Sequence, residues 1–65
     1  MELDTSKIKL LLAEREMNQI DLAEKCGLTR QYISKVLSKK SCTLKTLGKL
    51  AKAMDVSVVD IVKGG

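Results

Sequence analysis

Apolar residues recur along this chain at helical rather than alternating spacing. Ile8, Leu11 and Leu12 stand at i, i+3 and i+4, and Met17 closes the far end of their stripe. That spacing predicts a first helix from about Ser6 to Glu16, with Asp4, Thr5 or Ser6 available as its cap. Leu10 falls off the stripe and is expected to be partly exposed. Leu22, Cys26, Leu28, Ile33 and Val36 supply a second apolar seam, interrupted by Gly27. The interruption divides it into a second helix, about Gln19 to Cys26 after an Asn18 cap, and a third, about Arg30 to Leu37 after a Thr29 cap. Gly27 can take the left-handed conformation that ends one helix and turns the chain. Ala23, four residues earlier, leaves room for a close helix–helix contact.

Ser38 to Cys42 reads as a short polar loop. Thr43 then caps a fourth helix, in which Leu44, Leu47, Leu50, Ala51 and Met54 repeat at helical spacing. Gly48 inside it costs about 1 kcal/mol relative to alanine, and close packing is the expected reason. Ser57 with Asp60 three residues later marks the start of a short fifth helix, Val58 to Val62. The β-branched content of Val56 to Val62 would also suit a strand, but no second strand candidate exists to pair with it. Lys63-Gly64-Gly65 is expected to fray. The expected fold is therefore all-α: five short helices in one compact domain spanning residues 1–65, ordered from about 6 to 62.

With the seam turned inward, Arg30, Gln31, Tyr32, Ser34 and Lys35 are left facing outward from the third helix. Two short helices meeting at a glycine, the second carrying long polar side chains, meet the needs of a helix-turn-helix, whose second helix enters the DNA major groove. Charge supports this. The formal net charge is +4, but from Lys25 to Met54 there are eight basic residues and no acid. A one-sign field over half a domain favours a polyanion, and nucleic acid is the obvious one.

The chain has no Pro, Trp, Phe or His, and Tyr32 is its only aromatic residue, so the core must be aliphatic. A chain of this size buries only about 60% of the surface its unfolded form exposes. Cys26 and Cys42 are sixteen residues apart without histidine, neither a zinc spacing nor a redox pair. Cys26 falls at an apolar helix position, whereas Cys42 is expected as a free thiol in a loop. With no histidine, glycine-rich phosphate loop or paired carboxylate, no enzyme, cofactor, metal or small-molecule site is expected. No apolar run reaches membrane-spanning length, and Glu2-Leu3-Asp4 is unlike the start of a signal peptide, so a cytoplasmic protein is expected.

Residues 6 to 62 resemble the phage Cro and repressor-type helix-turn-helix domain, also called the XRE family. The matching signature is Met17-Asn18-Gln19, Leu22-Ala23, Gly27, Ile33-Ser34, then Leu47, Leu50-Ala51, Met54 and Val56-Ser57 in register. The resemblance implies a five-helix, lambda-repressor-like fold and a recognition helix whose first turn meets base edges. It places Arg30, Gln31 and Lys35 at base-contacting positions, with Tyr32 and Ser34 as neighbours. The chemistry agrees: Arg can pair bidentately with guanine and Gln with adenine, and Tyr32 offers a ring edge to a thymine methyl or a hydroxyl to a phosphate. Many relatives carry an arginine where Leu12 stands and a glutamate where Leu37 stands, forming an ion pair. Two leucines can replace such a pair without loss, so Leu12 is expected to touch Leu37. The family's usual Asn-Gly after the recognition helix is Ser38-Lys39 here.

Phosphate contacts are expected from Asn18 and Gln19 at the start of the second helix, where free N–H groups favour an anion. Lys39, Lys40, Thr43 and Lys45 make a second expected clamp, while Lys49 and Lys52 lie further along. One recognition helix covers only a few base pairs, so a homodimer on an inverted repeat is expected, with Val58, Val59 and Val62 as its interface. The leading expectation is a sequence-specific repressor of transcription. The alternative is a protein-interaction module on the same fold, an antitoxin or antirepressor-like adaptor. Asp21 and Glu24 make a small acidic face of the kind that contacts RNA polymerase in some relatives.

Overall fold

Each α-helix begins where a short polar side chain accepts a hydrogen bond from a backbone N–H three residues on, satisfying a donor that the helix itself leaves free. The computed structural model describes residues 2–63. Helix α1 spans Thr5–Glu14, with Asp4 accepting from the Lys7 amide at 3.2 Å. Helix α2 spans Gln19–Cys26 behind a reciprocal box: Asn18 Oδ1 accepts from the Asp21 amide and Asp21 Oδ2 from the Asn18 amide, both at 2.9 Å. Helix α3 spans Arg30–Lys39 and is capped by Thr29. Helix α4 spans Leu44–Met54 and is capped by Thr43.

Helix ends depart from expectation more than helix starts do. Gly27 ends α2 at φ 70°, as its lack of a Cβ allows, and the Leu28 amide donates back to Ala23 O at 2.9 Å. Helix α1 stops at Glu14, two residues early, and Glu16 takes φ 53°. Helix α3 runs two residues beyond Leu37, so Ser38 and Lys39 are helical rather than loop. The left-handed turn falls on Lys40 at φ 59°, whose amide donates to Val36 O.

The fifth helix is corrected. Val58–Asp60 makes a single 3-10 turn, with the Ser57 amide donating to Asp60 Oδ2. Beyond it, Val62 forms an isolated antiparallel bridge with Leu3, while Glu2 bridges to Ser41. The Leu3 amide donates to Lys40 O at 2.8 Å, Asp4 to Ile61 O at 2.9 Å and Lys63 to Glu2 O at 3.0 Å. Of the β-branched run, Val62 alone pairs, in that isolated bridge to the N-terminal segment, and no strand forms among the described residues. Gly64 and Gly65, expected to fray, lie outside the described residues.

The core is aliphatic. Ile8 and Leu12 of α1, Leu22, Ala23 and Cys26 of α2, Ile33, Val36 and Leu37 of α3, and Leu47, Leu50, Ala51 and Met54 of α4 are buried in one cluster. Leu12 and Leu37 both belong to it. Leu3 and Ile61 join it with no exposed surface, so the packed domain extends to Leu3, ahead of the boundary expected near residue 6. Leu44 leaves the expected apolar stripe and is exposed. Gly48 is exposed, and a Cβ there would meet nothing within 4 Å, so close packing does not account for it. Among the described residues no helix is long and apolar enough to cross a membrane.

Candidate nucleic-acid interface

Helix α3 divides cleanly around its circumference. Ile33, Val36 and Leu37 are buried, which fixes the helix against the core and turns Arg30, Gln31, Ser34, Lys35 and Ser38 outward. Those five line one shallow concavity of about 790 Å³. Their spacing of i, i+1, i+4, i+5 and i+8 is one helix face. Ser38 joins this face because α3 continues past Leu37, the end its sequence predicts; the Ser34 spacing carried on by one turn reaches it. Among the described residues the one ion pair is Arg15–Glu14 at 3.1 Å. The guanidinium of Arg30 and the ammonium of Lys35 therefore keep their donors free for a ligand.

Arg30 also borders a second concavity with Asn18, Gln19 and Ile20, where the start of α2 meets the start of α3. The structure thus brings two expected phosphate-contacting residues beside Arg30, the first of the residues expected to contact bases. Asn18 spends its carbonyl oxygen on the Asp21 amide, which leaves its NH2 group as the outward donor. Ile20, 47% exposed on this flank, was not singled out from the sequence.

Tyr32 stands apart from the other expected base-contacting residues. Its hydroxyl lies 3.1 Å from Thr46 Oγ1 on α4, so the side chain leans across to the neighbouring helix. It lines a third concavity, of about 370 Å³, with Lys35, Val36, Lys39, Ser41, Cys42 and Thr43. Lys39 and Thr43 of the expected second clamp therefore share a surface with Tyr32 and Lys35. Lys40 sits exposed in the left-handed turn and Lys45 exposed on the first turn of α4, and neither lines that concavity. Thr46, buried and in contact with Tyr32, has no sequence signal beyond its place among the polar residues of α4.

Three further features lie away from the outward face of α3. Lys25, Lys49 and Lys52 surround Cys26, whose thiol donates to Lys49 O at 3.6 Å. Burial pushes the Cys26 thiol pKa up, and does the same at Cys42. Asp21 and Glu24 share a shallow surface with Glu16, Met17 and Lys25. Val58 and Val59 are exposed at 41% and 70%, whereas Val62 is half-buried by its bridge to Leu3.

A helix-turn-helix family model matches residues 8–61 of this chain. Among solved structures, the chain is similar to the hypothetical transcription factor NHTF from Neisseria, with a TM-score of 0.75 and 26% identity. The similarity covers 92% of this chain and 78% of that one. No curated protein matches.

Proposed function

The chain belongs to the XRE-type helix-turn-helix family, a DNA-binding regulator of transcription rather than an enzyme, and from that premise we propose that it is a sequence-specific repressor. In this reading it binds an inverted-repeat operator as a dimer, with α3 in the major groove. One observation carries the proposal: Arg30, Gln31, Ser34 and Lys35 stand together on the free face of a helix whose other face is locked into the core. Fixed backbone with free donors is what base reading requires, because a bidentate Arg–guanine or Gln–adenine pair tolerates little misplacement. Asn18, Gln19, Lys39, Lys40, Thr43 and Lys45 would hold the sugar–phosphate backbone, which sets register without reading sequence.

Exposure of Val58 and Val59 supports a dimer through the 3-10 turn, since apolar side chains at a domain end gain from mutual burial. Val62 would contribute less, being already packed against Leu3. Asp21 has its carboxylate engaged by its own helix cap, so an RNA polymerase contact on that face would rest mainly on Glu24. Selection of bound sites from random duplex DNA at near-physiological salt tests the reading. An enriched inverted repeat is expected; salt-sensitive binding without enrichment would overturn it in favour of an adaptor.

A further inference from the structure

Thr46 is the one buried polar residue among those described, at 6% exposure, and it sits between the recognition helix and the start of α4. Its amide donates to Thr43 Oγ1 at 3.2 Å, and Thr43 Oγ1 donates to Thr46 Oγ1 at 3.1 Å. The hydrogen on Thr46 Oγ1 then has one remaining acceptor within reach, Tyr32 Oη at 3.1 Å. Were Tyr32 to donate instead, the Thr46 hydrogen would be left buried without an acceptor. An unsatisfied buried donor costs more than an ordinary hydrogen bond contributes, so the favoured direction runs from Thr46 to Tyr32. The phenol oxygen is thereby an acceptor, and its own hydrogen is free to turn outward.

Outward, on a side chain 37% exposed, that hydrogen meets the surface shared with Lys35 and Lys39. A hydroxyl chain in which each member donates to the next strengthens its last donor, and two flanking cations attract an anion to it. We infer that Thr46 is a positioning residue that turns the Tyr32 hydroxyl outward as a hydrogen-bond donor to a backbone phosphate of bound DNA. The inference rests on α3 being the DNA-reading helix, and it moves Tyr32 from base reading to phosphate holding. A neutral phenol that binds phosphate strengthens binding to every sequence alike, and because it releases no counterion of its own it leaves the salt dependence nearly unchanged.

The test has two arms. In the free protein, Raman spectroscopy of the tyrosine doublet reports whether the phenol oxygen accepts or donates, and Tyr32 is the only tyrosine in the chain. A signature of a phenol that accepts from Thr46 while donating to solvent is expected, and it should be kept in Thr46→Ser; a donor-only signature in the wild type overturns the inference. In the second arm, affinities are measured for the selected duplex and for an unrelated one, at a temperature where circular dichroism shows each variant folded. Tyr32→Phe is expected to weaken both by a common factor of about fivefold to tenfold, with Thr46→Val similar and Thr46→Ser close to wild type. The double variant should be no worse than either single one. Placing a neutral methylphosphonate at each backbone position in turn should reveal one phosphate to which the wild type is sensitive and Tyr32→Phe is not. Altered preference at one base pair in Tyr32→Phe, or unchanged affinity in both variants, overturns the inference. An accepting Raman signature in a wild type that binds no duplex would instead remove the DNA reading, and the phosphate role with it, while the hydroxyl chain stood.

Discussion

Leu3→Ala should destabilise the domain far more than a substitution so near the start of a chain ordinarily does. Leu3 has no exposed surface, and its amide donates to Lys40 O at 2.8 Å. Truncating a fully buried leucine removes the transfer energy of the lost carbons and leaves a cavity, a combination that costs about 2–5 kcal/mol. The segment is held at the domain edge by three backbone hydrogen bonds and can partly collapse into the space, so the lower half of that range applies. A domain of this length is stable by only about 3–10 kcal/mol in total. A loss of about 2–3 kcal/mol corresponds to a fall in Tm of roughly 8–24 °C. Thermal and urea melts followed by far-UV circular dichroism measure it, with Leu3→Met as a volume-conserving control expected to lose less than about 1.5 kcal/mol. A fall in Tm below about 4 °C for Leu3→Ala would refute the claim that residues 2–4 are part of the packed domain.

Other substitutions test separate parts of the account. Gly48→Ala should stabilise by about 0.5–1 kcal/mol, because the site is helical and open to solvent; a loss would reveal a contact that the open space at Gly48 denies. Asn18→Ala should cost about 1 kcal/mol by breaking the cap of α2, measured by the same melts. In the native protein, a thiol reagent should modify half-buried Cys42 well before buried Cys26, which should react only as the domain opens. Burial raises the folded-state pKa of Cys26, so its contribution to stability is complete below the ordinary thiol range and is lost as pH rises through the raised value. Stability measured against alkaline pH should therefore fall less steeply in Cys26→Ala.

What the sequence made legible was local. Asn18, Thr29 and Thr43 cap the helices they were expected to cap, and Gly27 takes the left-handed turn, because each effect acts within four residues. Signals that depend on distant chain were not legible. Val62 pairs with Leu3 at the other end of the sequence, a partner that local spacing does not show. The end of α3 is not legible because Ser38 to Cys42 reads as a polar loop, yet Ser38 and Lys39 stay helical and the left-handed turn falls on Lys40. Its place on α3 groups Tyr32 with Arg30 and Gln31. Only the fold shows that a hydroxyl on α4 waits beside it.

The central claim is that α3 reads base pairs through Arg30 and Gln31. The most direct measurement is a complete binding-energy matrix: the affinity of wild type, Arg30→Ala and Gln31→Ala for every single-base variant of the selected site at one salt concentration. Each variant should lose about 1–3 kcal/mol of discrimination at one position per half-site and keep the rest of the matrix intact. Uniform weakening across all positions, with discrimination preserved everywhere, would contradict the claim and make these residues phosphate holders.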